Sequence, residues 1–220
     1  MEIKPIAKIQ TEFPEKFGIP RQSGIVPTMG KIIFDEEFRT PDALRGLDGY
    51  SHLWLIWGFS LNEEKPWSPT VRPPRLGGNK RVGVFATRSP FRPNPLGLSC
   101  VKIDKIETQE NFGTVIYVLG ADLADGTPIY DIKPYLAYTD SHPDAKGGFA
   151  DEKLAYRLEV SVACNTDMSE EKLDLIKRII SNDPRPAYQS DPEREYKMSV
   201  LGFNVVFKVD GNVATVTEIY

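Results

Sequence analysis

The sequence predicts a mainly β protein, a small β-barrel with a C-terminal α+β appendage, and three observations support this. Residues 1 to about 140 carry a succession of short runs rich in Val, Ile, Phe and Tyr, separated by Gly, Pro, Asp and Asn. That stretch has almost no helical periodicity, which argues against alternating strand–helix units. Beyond it, a helical pattern and a hairpin signal follow closely. We therefore expect a barrel domain over 1–140 and a small α+β domain over 141–220.

The predicted strands follow in order. Lys4 to Phe13 comes first, then Lys31 to Phe34 and the apolar run His52 to Phe59. Arg81 to Thr87, Ser99 to Ile106, Thr114 to Ala121 and Ile129 to Tyr135 complete the domain, each bounded by turn residues. Between the second and third strands, Pro41 to Leu47 reads as a short helix, with Thr40 as cap and Pro at the first helical position. Thr139 to Lys153 turns to Asp, Ser, His, Pro, Gly and Lys, the composition of a linker or long loop. Asp167-Met168-Ser169-Glu170 resembles a capping box with Asp167 as cap. Leu173, Ile176 and Ile180 then recur at helical spacing, with Lys177 and Arg178 near the C-terminal end and Asn182-Asp183-Pro184 as the stop. Phe203 to Val209 and Val213 to Ile219 flank Asp210-Gly211, a strong hairpin signal.

Composition removes several function classes. The longest apolar run, Leu53 to Phe59, is far short of the roughly 20 residues that cross a bilayer. Met1 to Pro5 shows no apolar stretch or cleavage signal, so a cytoplasmic protein with no membrane partner is expected. Two cysteines (Cys100 and Cys164) and two histidines (His52 and His142) are too few for a disulfide framework, and no metal site is expected. No dinucleotide fingerprint, phosphate loop or serine elbow appears, which argues against the common nucleotide folds and esterase folds.

Charge is distributed unevenly. The net charge is −4, yet Lys65 to Lys102 contains eight cations and no Asp or Glu, leaving 19 basic against 31 acidic residues elsewhere. A positive segment on an acidic chain suggests a local anion-binding face. Within it, Pro69 to Gly97 interleaves Arg with Pro: Arg72-Pro73, Arg92-Pro93-Asn94-Pro95. Proline stiffens the backbone, so guanidinium and amide groups there lose less entropy when they bind an anion. A Pro-rich turn with solvated arginines is the competing structural explanation.

This segment closely resembles the TsaA-like, or UPF0066, family of S-adenosylmethionine-dependent tRNA methyltransferases, which methylate N6 of threonylcarbamoyladenosine beside the anticodon. The likeness spans nearly the whole chain. It includes Pro20-Arg21-Gln22, Arg45-Gly46-Leu47, Ser51-His52-Leu53-Trp54, the Pro69 to Gly97 block, Asp122 to Pro128, Asp131 to Leu136, and Asp183-Pro184-Arg185-Pro186-Ala187-Tyr188. The resemblance implies a homodimer with S-adenosylmethionine bound near the subunit interface. It places the cofactor on Pro20, Arg21, Gln22, Ser60, Leu61, Arg88, Leu98, Leu123, Ala124, Asp125 and Gly126. In that setting Asp125 suits a ribose hydroxyl or the methionine ammonium, and Arg88 or Arg21 suits its carboxylate. Alone, Asp125-Gly126 reads as a hairpin turn.

The chemistry so implied is displacement at a sulfonium methyl by a conjugated nitrogen, which must lose its proton. No residue is an obvious base. Asp131 and Tyr135 are the candidates, while Arg92 and Asn94 suit charge on the carbamoyl oxygen. For the tRNA anticodon stem-loop, Arg72, Arg75 and Lys80 offer phosphate contacts, with Arg185 and Tyr188 helping, and Trp67, Phe91 and Tyr188 offer stacking faces. The alternatives are a non-enzymatic RNA- or nucleotide-binding barrel, or a methyltransferase acting on another acceptor.

Overall fold

The computed structural model describes residues 2–62, 67–77, 79–153, 156–186 and 188–220. Its N-terminal part is a closed antiparallel barrel. The strands are β1 (Ala7–Thr11), β2 (Met29–Phe34), β3 (His52–Gly58), β6 (Leu96–Gln109), β7 (Gly113–Leu119) and β8 (Thr127–Pro134), in the order β1-β2-β7-β6-β3-β8 with β8 returning to β1. Period-two alternation sets which side chains fill it. On β3, Leu53, Leu55 and Trp57 are buried, while His52, Trp54 and Ile56 face outward. Ile9, Ile32, Val101 and Ile129 meet them from the other walls, all at 1% exposure or less. Gly30 admits the Ile9 side chain, since a Cβ there would stand 2.9 Å from Ile9 Cδ1.

Two short strands, β4 (Thr70–Val71) and β5 (Val82–Gly83), pair outside the barrel. The predicted strand over 81–87 thus shrinks to two residues followed by a 3-10 turn, Val84–Ala86, because the strand it pairs with is equally short. The predicted helix at Pro41 is likewise two 3-10 turns, Pro41–Leu44 and Leu47–Gly49, split by Gly46 at φ 84°, and the Thr40 side chain makes no cap. Within the expected loop over 139–153 lie the end of a short helix, Ala137–Asp140, and a 3-10 segment, Gly148–Lys153.

The appendage is a four-stranded sheet against one helix. β9 (Glu159–Val162), β10 (Tyr196–Val200), β11 (Phe203–Asp210) and β12 (Val213–Ile219) run in the order β10-β11-β12-β9, with β9 parallel to β12. The helix Glu170–Ser181 buries Ile176, Ile179 and Ile180 on that sheet. Its cap is Ser169, not Asp167: the Ser169 hydroxyl accepts from the Lys172 amide at 3.4 Å. The hairpin at Asp210 forms as expected.

The segment between β1 and β2 belongs to both units. Phe13 and Val26, 1% and 0% exposed, complete the apolar core of the appendage, and Phe17 stacks on Tyr196 and Phe207. Two hydrogen bonds reinforce the join: Leu201 N donates to Glu12 O at 3.3 Å, and Ser199 N to the Glu15 carboxylate Oε1 at 2.9 Å.

Candidate functional site

A cavity of about 180 Å³ opens where the C-terminal end of β3 meets the connection from β7 to β8. Trp57, Phe59, Ser60, Leu61, Asp122 and Thr127 form most of its wall. Trp57 ends the buried row of β3 and lies flat over the Gly97 backbone. Its indole N–H donates to Ser99 Oγ at 2.9 Å, and Ser99 Oγ donates to Asp122 Oδ1 at 2.5 Å. Phe59 meets Trp57 edge to face, ring centres 4.5 Å apart. The connection is tied down from behind: Gly126 N donates to Ile9 O, Asp125 N to Phe13 O, and Thr127 Oγ1 to Ala124 O.

Burial pushes the Asp122 carboxyl above the usual aspartate range, against the pull of the Ser99 hydroxyl and the Arg88 charge. The folded chain therefore keeps the Asp122 proton to higher pH than the unfolded chain. The stability tied to this group is full in acid and is lost as pH rises through the window between the unfolded and folded values. Asp122→Asn is expected to gain stability over wild type as pH rises from that window towards neutrality. Urea midpoints at several pH values check this, and a difference that does not change with pH would refute it.

The expected cofactor residues divide into groups. Ser60, Leu61 and Ala124 line the cavity, and Gly126 sits just behind it. Gln22 and Arg88 come together, the guanidinium donating to Gln22 Oε1. Arg21 turns instead towards the appendage and donates to Asp183 O at 2.5 Å and Arg185 O at 2.7 Å, beside a second cavity of about 350 Å³; Pro20 is buried next to it. Asp125 accepts from Thr11 N at 2.9 Å, which makes it a strand-end cap. The Leu123 side chain fills the barrel core, and Leu98 stands 55% exposed on the outside of β6.

The other candidates lie apart from the cavity. Asp131 pairs with Lys133 Nζ at 2.8 Å, and Tyr135 packs on His52 and Trp54, in the row of outward-facing side chains. Arg92 donates to Thr87 O at 3.1 Å and holds its own turn, on which Asn94 is exposed. Arg72 and Lys80 face solvent, as do Trp67, Phe91 and Tyr188. Lys65 and the Arg75 side chain lie outside the described residues. Arg185 does not suit a phosphate contact: it is 7% exposed, bidentate to Asp183 at 2.8 and 3.0 Å and stacked over Tyr196.

Reading the sequence missed the cavity's own Trp57, Asp122 and Thr127. Trp57 had no signal beyond its place in the apolar run Leu53 to Phe59, and Asp122 none beyond its place at the head of Asp122 to Pro128. The donor set fits a ligand with a flat ring and a cationic end, since aromatic walls face a carboxyl. Among the described residues no cluster of His, Cys, Asp and Glu suits a metal, and no helix is long and apolar enough to cross a membrane.

Comparison with known proteins gives a consistent result. Residues 8–141 match the tRNA-methyltransferase O N-terminal domain, and residues 153–220 match the TrmO C-terminal domain. A tRNA (adenine(37)-N6)-methyltransferase of Escherichia coli K12 is 40% identical, over 94% of this chain and 93% of its own length. A putative S-adenosylmethionine-dependent methyltransferase, RcsF, of Pseudomonas aeruginosa is 38% identical over 92% of this chain and 90% of its own. A crystal structure of TrmO from Pseudomonas aeruginosa superposes with a TM-score of 0.77 at 29% identity, covering 100% of this chain and 98% of the other.

Proposed function

Because this chain belongs to the TrmO family of tRNA methyltransferases, we propose that it transfers a methyl group from S-adenosylmethionine to the N6 nitrogen of adenine 37 in tRNA. The observation that carries this reading is the cavity at the end of β3, which Trp57 and Phe59 line together with Asp122, Ser60 and Leu61. S-adenosylmethionine supplies an electrophilic methyl on a cationic sulfur. The chain's part is to hold the acceptor nitrogen in line with it and to receive a proton.

The acceptor is threonylcarbamoyladenosine. Its nitrogen is conjugated with both the purine and the carbamoyl group, so charge gathers on the carbamoyl oxygen as the proton leaves. Gln22 and Arg88, linked by a hydrogen bond, suit the cofactor's carboxylate end. The molecule acts in the cytoplasm as a homodimer, an arrangement supported by apolar side chains exposed on one copy: Phe85 at 75% and Leu98 at 55% exposure.

The anticodon stem-loop docks on the basic segment, with Arg72 and Lys80 on phosphates and Tyr188 against a base. Replacing Arg72 and Lys80 by Ala is expected to weaken tRNA binding and to flatten its dependence on log salt by about 0.7–0.9 for each phosphate no longer neutralised. Filter binding at several salt concentrations reads this; an unchanged slope would remove them from the interface.

The decisive assay uses labelled S-adenosylmethionine with total tRNA from cells able or unable to make threonylcarbamoyladenosine, followed by nucleoside mass analysis. Label only in the modified tRNA, as methylated threonylcarbamoyladenosine, is the expected result. Label in both would move the acceptor to unmodified adenosine, and no label in either would overturn the tRNA reading.

A further inference from the structure

The transfer needs a group to receive the acceptor's proton, and neither Asp131 nor Tyr135 reaches the cavity: both stand in the outer row of the barrel. We propose that the Asp122 carboxylate is the proton acceptor for methyl transfer, held in position by Ser99 and Trp57. The proposal rests on the methyltransferase reading of this cavity.

Asp122 is the only carboxylate in the cavity wall among the described residues. Its neighbour Asp125 is turned away, engaged with the Thr11 amide. A chain of two hydrogen bonds fixes its orientation. The Trp57 indole donates to Ser99 Oγ at 2.9 Å, which commits the Ser99 hydroxyl hydrogen to Asp122 Oδ1 at 2.5 Å. Ser99 is 1% exposed and Trp57 7%, so water does not compete for either bond. The same indole that walls the cavity thus aims the carboxylate into it. A base must be within reach of the proton and close in basicity to the working pH. Burial raises the basicity of Asp122, against the pull of the Ser99 hydroxyl and the Arg88 charge.

The step balances. The nitrogen forms its bond to the methyl carbon, the carbon–sulfur bond breaks, and its electron pair stays on sulfur as a neutral thioether. The N–H electron pair remains on nitrogen, and the proton passes to Asp122. The positive charge that entered on sulfur ends as a proton on the carboxyl and leaves to solvent when the products dissociate.

The test is Asp122→Asn, which keeps the shape of the side chain and still accepts from Ser99. Single-turnover methylation of tRNA by the variant, measured at a cofactor concentration that calorimetry shows to be saturating, is expected to fall on the order of 10²- to 10⁴-fold. The wild-type rate should rise with pH along a limb above the ordinary aspartate range, and that limb should vanish in Asp122→Asn. Ser99→Ala, which removes a hydrogen bond to the charged form, should move the limb to higher pH. A rate that saturating cofactor restores to the wild-type value would make Asp122 a cofactor ligand only and overturn the proposal, as would a rate unchanged at every cofactor concentration. No transfer by the wild-type chain would instead overturn the methyltransferase reading, and this proposal with it.

Discussion

Gly97→Ala is expected to lower stability by about 3 kcal/mol, the upper end of what an added core methyl costs, and to abolish binding of S-adenosylmethionine. A Cβ at 97 would stand 2.2 Å from Trp57 Cε2 and 2.4 Å from Cζ2, far inside van der Waals contact with the ring. Gly97 faces Trp57 directly across the β3–β6 ladder, so the collision cannot be relieved by a rotamer of the new methyl. The indole has no easy retreat, being bonded to Ser99 and packed on Phe59. Either the ladder opens or Trp57 swings out and the cavity wall goes with it. For a chain of this size each kcal/mol moves the melting point by about 2–4 °C, so a drop of about 6–12 °C is expected in a thermal melt. Calorimetry reads the lost affinity. Adding Trp57→Ala should recover part of the stability but not the binding, because the clash has gone and the wall has not returned. A Gly97→Ala chain that melts with wild type would sink the argument.

Arg185→Ala is expected to cost about 3–5 kcal/mol, since it strands a buried carboxylate. The Asp183–Arg185 side chains are only 13% and 8% exposed. Asp183 holds φ at 49°, a conformation that a non-glycine residue keeps only when its surroundings hold it. The carbonyls of the same two residues receive Arg21 from the segment between β1 and β2, so the loss spreads into the joint between the two units. Hydrogen exchange should show the 182–190 segment opening first while barrel amides stay protected. Arg185→Lys should rescue little, because an ammonium cannot make the paired bonds of a guanidinium. Equal stability of Arg185→Ala and wild type in urea would show the pair to be ornamental.

What the residues alone reveal follows the reach of the forces involved. The apolar run His52 to Phe59 marks a strand, but Leu53, Trp54, Leu55, Ile56 and Trp57 are all apolar, so which of its faces is buried is set only by closure of the barrel. Asp210-Gly211 and the Ile176–Ile180 stripe are local, and both produced the expected elements. β9 escaped notice because four half-exposed residues gain their place from parallel pairing with β12, more than fifty residues later. The same reason hid the role of Phe13 and Val26, which look like barrel residues and fill the core of the appendage. At the site, the resemblance brought out the connection carrying Ala124 and Gly126, but Asp122 acquires its raised basicity only from the burial that the closed barrel imposes. Arg185 reads from the sequence as a tRNA contact because its partner, two residues earlier, shares its burial only in the folded turn.

The shared segment between β1 and β2 has a consequence for the order in which the chain is made. All six barrel strands lie before residue 135, so the barrel can close on the ribosome while the rest is still being synthesised. At that moment Phe13 and Val26 have no cover, because the sheet that buries them is built from strands that emerge last, β10 to β12. A nascent chain paused after β8 therefore presents a sticky apolar patch next to a finished barrel. Slow translation of the last third lengthens that exposure, and the yield of native protein in the cell should depend on how quickly residues 196–219 follow.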